Sequence, residues 1–471
     1  MLKDSVERAF DFDVVVVGSG PGGFEAAVKA ARSGLSVCVI EKGPIGGVCV
    51  NWGCIPTKAL LRSAEIFRLA DEAESFGLRV DGSSVDIAQA VKRSRRVVLT
   101  ASKGVEYSLK QNNITVKRGE ASFADAHTLE ISREGKEGKV KEAVTAEYVI
   151  IATGGRAREL PGLEFDGKAI ISSREALAMQ GAPEKMLIIG GGAIGIEMAW
   201  YYSAAGTAVT LVELMPRILP AEDEEVAEGL KRALIKAGIE IINEASVKTA
   251  ETPGGRVTAV VGMPDGNERI FDVDCMLVAV GVAPNTEGLA LERAGVATEK
   301  GFVKTDELCR TNAWNIFAIG DVRGGMLLAH KASAEAGVAV KAILGQRPEP
   351  VDETRIPRCV YVEPSVACVG YTEEQAEKSD QKVTVGRALF AASGKASAYG
   401  FRDGFVKLVF NAATGELLGG HVLGHGAVEL IGELSLARSL GVTAEQLAQT
   451  VHAHPTLSES IQAAAENALE Q

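Results

Sequence analysis

Residues 13–23 read DVVVVGSGPGG, an apolar run that ends in a cluster of glycines. The small-residue pattern GFEAAVKAARSG follows, and then a second apolar run, SVCVIE, at residues 36–41. Strand, glycine turn, helix and strand in that order are a βαβ unit. Gly18, Gly20 and Gly23 fit GxGxxG: the first glycine permits a tight turn, the second lets the backbone approach a pyrophosphate at the helix N-terminus, and the third lets helix and strand pack closely. Glu41, at the end of the second strand, is placed to accept hydrogen bonds from ribose hydroxyls.

One such motif is weak evidence, but the chain carries a second copy. Residues 186–213 read MLIIGGGAIGIEMAWYYSAAGTAVTLVE, with Gly190, Gly192 and Gly195 as motif glycines and Glu213 as the closing acid. First glycine and acid stand 23 residues apart in both copies, a coincidence that two chance glycine turns do not produce. Glu213 offers a carboxylate to a free 2′-hydroxyl and repels a 2′-phosphate, which favours NAD over NADP. Arg217, the close basic residue, reads equally well as a solvated helix-capping charge. Two dinucleotides on one chain imply that electrons pass between them.

Outward from these motifs, the 471 residues suggest three or four domains, and a hydrophobic content of 46% with only 15 prolines describes a folded globular chain. The formal charge of −12 has the wrong sign for broad contact with phosphate backbones or anionic lipid. No run approaches the roughly 18 apolar residues of a membrane helix, and the opening MLKDSVERAFDFD has no apolar signal core. Neither nucleic acid nor membrane is an expected partner, and a cytoplasmic location is expected. Seven cysteines, an odd number, do not read as a secreted disulfide framework.

Two of the cysteines stand apart. Cys49 and Cys54 lie in GGVCVNWGCIPTKALLRSAEIF, separated by four residues and just ahead of a helical pattern carrying Leu60, Leu61 and Phe67. A helix N-terminus stabilises a thiolate, so Cys54, nearer the helix, is expected to be the better-stabilised of the two. Cys38, Cys275, Cys309, Cys359 and Cys368 fall in apolar, strand-like runs and read as inert buried residues. Zinc would need two further ligands at suitable spacing, and the sequence offers no CxxC or HxxxH partner, so no metal site is expected.

GGVCVNWGCIPTK at residues 46–58 resembles the redox-active disulfide signature of the flavin-dependent pyridine nucleotide-disulfide oxidoreductases. The resemblance extends over essentially the whole chain, through IIATGG at residues 150–155, TNAWNIFAIGD at 311–321, GGMLLAHKA at 324–332 and HAHPTLSE at 452–459. It implies an α/β fold of two Rossmann-like dinucleotide-binding domains, for FAD and NAD, with a C-terminal α+β dimerisation domain. The implied boundaries are 1–150 for FAD, 151–280 for NAD, 281–350 for a central segment completing the FAD region and 351–471 for the interface domain. Composition supports the last junction through QRPEPVDETRIP at residues 346–357, and the final part alternates strand-like and helical patterns.

By the same resemblance, Asp321 meets the ribityl chain of FAD, Ala329 lies near the isoalloxazine ring, and Lys58, paired with Glu197, stands beside the reactive flavin nitrogen. Ala121, Thr153, Gly154 and Gly281 join the cofactor contacts. Cys49 is the implied interchange thiol and Cys54 the flavin-side thiol. Oxidising a dithiol needs a group that removes a thiol proton, and imidazole has a suitable pKa. His454 and Glu459 match the family's His and Glu pair, the carboxylate orienting the ring. His452 reads as a packing or hydrogen-bonding residue, and His127, His330, His421 and His425 carry no catalytic claim.

The branch most resembled oxidises dihydrolipoamide with NAD⁺. Glu213 and HPTLSE disfavour the glutathione reductase branch, the ending ENALEQ lacks the cysteine pair usual in mercuric reductases, and the Cys49 and Cys54 pair disfavours a transhydrogenase. A silent component of a multienzyme complex is the alternative of a different class, and the intact site residues argue against it. The implied partners are a second copy of the chain and a lipoyl-bearing protein, either with the acyltransferase core of a 2-oxoacid dehydrogenase complex or as the carrier of glycine cleavage. No lipoyl domain precedes Asp13, so the substrate arm is expected from another protein.

Overall fold

The computed structural model describes residues 9–135, 138–379 and 382–471, so most of the charged opening stretch, residues 1–8, lies outside the described residues. Two compact units emerge, the first made of Met1–Thr57, Lys92–Ala157 and Val282–Glu353, the second of Lys58–Val91, Arg158–Gly281 and Thr354–Gln471.

The first unit is built on β1 (Phe12–Val17), α1 (Pro21–Arg32) and β2 (Val37–Glu41). After them come α2 (Gly47–Trp52), the start of α3 (Cys54–Asp71), most of α4 (Ile87–Gln111), β3 (Thr115–Arg118), β4 (Glu120–Phe123), β5 (Thr128–Gly135), β6 (Gly138–Ile151) and β7 (Gly155–Ala157). Strands β3, β2, β1 and β6 lie side by side in parallel, while the first half of β6 turns antiparallel to β5, which carries β4. The unbroken valine run of β1 follows from cover on both faces. Val14 and Val16 pack with Ala26, Ala27 and Ala30 of α1, whereas Val15 and Val17 pack with Phe123, Leu129 and Ile131.

The second unit repeats the plan with β8 (Ile170–Ile171), α5 (Ser173–Ala176), β9 (Lys185–Ile189), α6 (Ala193–Ala204), β10 (Ala208–Val212), α7 (Glu224–Lys236) and β11 (Glu240–Ile242). An antiparallel meander, β12 (Ser246–Glu251), β13 (Val257–Gly262) and β14 (Glu268–Val273), leads into β15 (Cys275–Val278), and the parallel order is β11-β10-β9-β15-β8. Returning to the first unit, β16 (Val282–Pro284) pairs with β7, β17 (Thr298–Glu299) pairs with β18 (Phe302–Val303), β19 (Ile316–Ala318) joins β6 in parallel, and α8 (Ala329–Ile343) packs on α1.

The C-terminal part of the second unit is a mixed layer of β20 (Arg358–Val360), β21 (Ser365–Gly370), α9 (Glu373–Lys378), β22 (Val383–Leu389), α10 (Gly394–Tyr399), β23 (Phe405–Asn411), β24 (Leu417–Gly424), α11 (Ala427–Leu440), α12 (Ala444–Gln449) and α13 (Glu459–Leu469). Its antiparallel sheet, in the order β20-β21-β24-β23-β22, carries one polar row across all five strands. Register sets Arg358 opposite Cys368, Cys368 opposite His421, His421 opposite Lys407 and Lys407 opposite Arg387. Residues directly opposite share a sheet face, and here they meet carboxylates from the residues before α7, from the first turn of α7 and from α9. Arg358 clasps Glu222 at 2.8 and 2.9 Å, and Lys407 reaches Asp223 at 2.9 Å, Glu225 at 2.7 Å and Glu373 at 2.8 Å. His421, fully buried in mid-row, bonds the Tyr371 carbonyl through Nε2 at 3.0 Å and leaves Nδ1 without a partner among the described residues.

Candidate active site

The two glycine turns have the same geometry down to the atoms that forbid a side chain. Gly18 has φ 106° and Gly190 φ 109°, and a Cβ there would stand 2.4 Å from the Ala152 carbonyl oxygen and 2.5 Å from that of Ala279. Gly23 and Gly195 each lie against the carbonyl of the first motif glycine, at 2.1 and 2.0 Å from a would-be Cβ. Gly20 and Gly192 cap α1 and α6 with extended backbone and face open space, the approach a pyrophosphate requires. Both closing acids bond to the loops. Glu41 accepts the N–H and hydroxyl of Ser19 at 2.9 and 2.7 Å and the N–H of Gly43 at 2.7 Å, while Glu213 accepts N–H groups of Gly191 at 2.5 Å and Met215 at 2.8 Å. Arg217, about a quarter exposed, is paired with Glu374 of the C-terminal part at 3.3 Å.

Ser19 ties the first turn to the cysteine segment, a link the sequence reading missed although a hydroxyl inside the motif was its signal. Its Oγ accepts the N–H of Gly46 at 3.1 Å, and a Cβ on Gly47 would stand 2.7 Å from the Cα of Gly20. Left-handed Gly46 and Gly47 start α2, and Gly53, with φ −131° and ψ −112°, breaks it from α3. Cys49 therefore sits in a short helix of its own instead of ahead of a shared one, whereas Cys54 opens the 18-residue α3. Cys49 is half-buried and Cys54 exposed. Asn51 holds the segment shut by donating to the carbonyls of Ile45 and Gly47 at 3.0 and 2.9 Å.

Of the remaining cysteines, Cys38, Cys275, Cys309 and Cys368 are buried, as expected, and Cys359 is only half-buried. Burial pushes the thiols of Cys38, Cys275 and Cys309 up to about 12, Cys359 up to about 11, and Cys368 well above the ordinary range. Cys309 departs from the strand-like reading, because it occupies a turn at φ 64°.

Farther along α3, the Lys58 ammonium lies 2.9 Å from both oxygens of Glu197 on α6. Tyr361, another residue unseen in the sequence, donates its backbone N–H to Glu197 at 3.1 Å and sets its ring 4.3 Å from the Lys58 ammonium. Thr153 and Gly154 follow β6 and are clasped by Asn285, which donates its side-chain amide to the Thr153 carbonyl at 3.0 Å and its N–H to that of Gly154 at 2.9 Å. Gly281, at φ 115°, faces open space, and Ala121 is buried in β4 opposite Ile131. Asp321 follows β19 in a short turn, its carboxyl pushed up by burial, and Ala329 is the first residue of α8.

At the other end of the chain, His454 presents an exposed ring whose Nδ1 lies 2.9 Å from Glu459. The Thr456 N–H, at 2.8 Å, and the imidazole hold the Glu459 carboxyl below its usual range. A carboxylate on Nδ1 leaves Nε2 available to take a proton. His452 instead bonds Glu433 at 2.8 Å and the Thr450 carbonyl at 3.0 Å, with its ring largely buried. Among the described residues no helix is long and apolar enough to cross a membrane.

Comparison with known proteins gives consistent matches over the whole chain. The profile described as pyridine nucleotide-disulphide oxidoreductase matches residues 12–336, and that of its dimerisation domain matches residues 356–465. A dihydrolipoyl dehydrogenase of Chlorobaculum parvum is 57% identical over 470 residues, covering 100% of this chain and 99% of its own. Among solved structures, LpdA from Mycobacterium tuberculosis is similar with a TM-score of 0.89 at 28% identity, covering 96% of this chain and 98% of its own. The HOCl-induced flavoprotein disulfide reductase RclA from Escherichia coli is similar with a TM-score of 0.84, also at 28% identity, over 96% of this chain and 99% of its own.

Proposed function

The chain belongs to the pyridine nucleotide-disulphide oxidoreductase family, and we propose that within it the chain is a dihydrolipoyl dehydrogenase, oxidising protein-bound dihydrolipoamide to lipoamide and reducing NAD⁺ to NADH. The open approaches at Gly20 and Gly192, each flanked by glycines that no side chain could replace, suit two dinucleotides. FAD at the first turn would be held by Gly18, Gly20, Gly23, Glu41, Ala121, Thr153, Gly154, Asp321 and Ala329, and NAD at the second by Gly190, Gly192, Gly195, Glu213 and Gly281. When bound, FAD would supply an acceptor for the electron pair of the cysteine dithiol, and NAD⁺ the final hydride acceptor.

The protein's own residues perform the sulfur chemistry. His454 Nε2 removes a proton from one substrate thiol, and the thiolate attacks Cys49 of the Cys49–Cys54 disulfide, so an S–S bond to substrate forms as the bond to Cys54 breaks. The second substrate thiol, deprotonated in turn, closes lipoamide and releases Cys49, leaving the protein as a dithiol. The start of α3 stabilises the Cys54 thiolate. Lys58, clamped by Glu197, would supply a positive charge to the bound flavin. The observation that carries the reading is the His454 ring, bonded at Nδ1 by Glu459 and open at the other nitrogen.

The domain assignment follows: FAD binding in residues 1–150 and 281–350, NAD binding in 151–280 and dimerisation in 351–471. The functional form is a cytoplasmic homodimer with each base serving the partner's cysteines, and the substrate arm belongs to the lipoyl protein of a 2-oxoacid dehydrogenase complex or of glycine cleavage. Steady-state assay of the flavoprotein tests the activity: dihydrolipoamide with NAD⁺ turns over, and NADPH with glutathione disulfide does not. The reverse preference overturns it.

A further inference from the structure

The loop from β19 to α8, residues 320–328, carries Asp321, and three glycines in it take left-handed φ: Gly320 at 74°, Gly324 at 83° and Gly325 at 72°. Glycines so placed allow the path without enforcing it, because they are also the most permissive residues. What enforces it lies beneath. Glu335, fully buried on α8, accepts the Gly320 N–H at 2.7 Å through Oε2 and takes both Arg323 Nη1 at 2.5 Å and Lys331 Nζ at 2.8 Å on Oε1. Lys331, 2% exposed, also donates to the Gly324 carbonyl at 2.7 Å. One carboxylate thus grips the residues before and after Asp321, and one ammonium grips the far end of the turn.

Buried charges are a poor source of stability, since removing them from water costs about as much as their attraction returns, but they define geometry sharply. This group of charges sits under the turn that carries Asp321. Asp321 has its carboxyl pushed up by burial, with Lys331 opposing that push and Glu335 adding to it. Among the described residues no side chain bonds to the Asp321 carboxylate.

We propose that Glu335, acting with Lys331 and Arg323, is a positioning residue that fixes the Asp321 carboxylate against the polyol chain of the flavin. This rests on the reading above in which Asp321 meets FAD. Glu335 does not touch the cofactor; with Lys331 it holds the turn that presents Asp321.

The test uses purified holoenzyme. Glu335→Gln keeps the size of the side chain and an acceptor for Gly320 but loses the charge that collects Arg323 and Lys331. FAD release, read as recovered flavin fluorescence, is expected to be about tenfold faster, with a shifted flavin midpoint potential and visible band; Glu335→Asp restores part of each. Arg323 is one-fifth exposed, so Arg323→Gln keeps the Lys331–Glu335 pair and folds even if Glu335→Gln does not, and it is expected to speed release about threefold. Wild-type release, potential and spectrum in every variant that folds overturn the proposal, even where thermal stability falls. A wild-type protein that holds no FAD overturns the cofactor reading instead.

Discussion

Glu213 illustrates how one residue does two jobs. Its oxygens pin the N–H groups of Gly191 and Met215, and in the proposed reading its charge repels a 2′-phosphate. Arg217 is engaged by Glu374, and Leu214 next to the acid is 69% exposed, so an arginine there has room. Glu213→Ala combined with Leu214→Arg is therefore expected to move the NADP/NAD ratio of kcat/KM up by about tenfold or more, while absolute rates fall because the turn loses its anchor. An unchanged ratio would remove Glu213 from the specificity site. Cys54→Ser is expected to abolish dihydrolipoamide oxidation, by about three orders of magnitude or more, yet keep bound FAD, since the proposed FAD contacts include no sulfur. Colourless, folded protein would contradict that division of labour.

The strand-turn-helix elements were the most legible part of the sequence, because a glycine that must avoid a carbonyl leaves a fixed spacing in the letters. Gly20 and Gly23 separate the two roles of such glycines. Gly23→Ala would drive a Cβ to 2.1 Å from the Gly18 carbonyl and is expected to cost about 1–3 kcal/mol or more, seen as a lower thermal midpoint without added cofactor. Gly20→Ala meets nothing within 4 Å, so the midpoint of the apoprotein is expected to hold while FAD affinity drops. Equal losses of stability in the two would refute the distinction. The break at Gly53 was illegible, because a glycine inside a run of helix formers gives no sign of whether it interrupts. Asn285 and Tyr361 were illegible for another reason: they act through backbone atoms or through partners far along the chain, which no local spacing records. The polar row of the C-terminal sheet was hidden likewise, as its members come from five strands that alternate with unrelated residues.

For the whole molecule, the base lies in the C-terminal segment and the cysteines near the N-terminus, and a two-fold homodimer exchanges such elements reciprocally. Coexpressing Cys49→Ser with His454→Gln puts both defects in one site of a mixed dimer and leaves the other intact, so roughly a quarter of wild-type activity is expected to return with random pairing. Mixed dimers that stay as inactive as their parents would show that each subunit serves itself. The row that crosses the C-terminal sheet has a consequence of a different kind. In it three permanent cations, Arg358, Lys407 and Arg387, face four carboxylates, Glu222, Asp223, Glu225 and Glu373. His421 stands amid them with its pKa lowered, chiefly by burial, against the opposing pull of Asp223 and Glu222. An imidazole kept neutral inside the fold but free to charge once unfolded binds protons preferentially in the unfolded chain. Stability is thus complete above the ordinary histidine pKa of about 6.5 and declines as acidity rises beyond it, by up to about 1.4 kcal/mol per pH unit until the lowered pKa is reached. His421 is therefore expected to contribute to the acid limit of stability, and His421→Gln, which keeps a donor for Tyr371, is expected to flatten the fall in thermal midpoint between pH 7 and 5. A curve as steep as that of the wild type would place the acid limit elsewhere, in the carboxylates of the row.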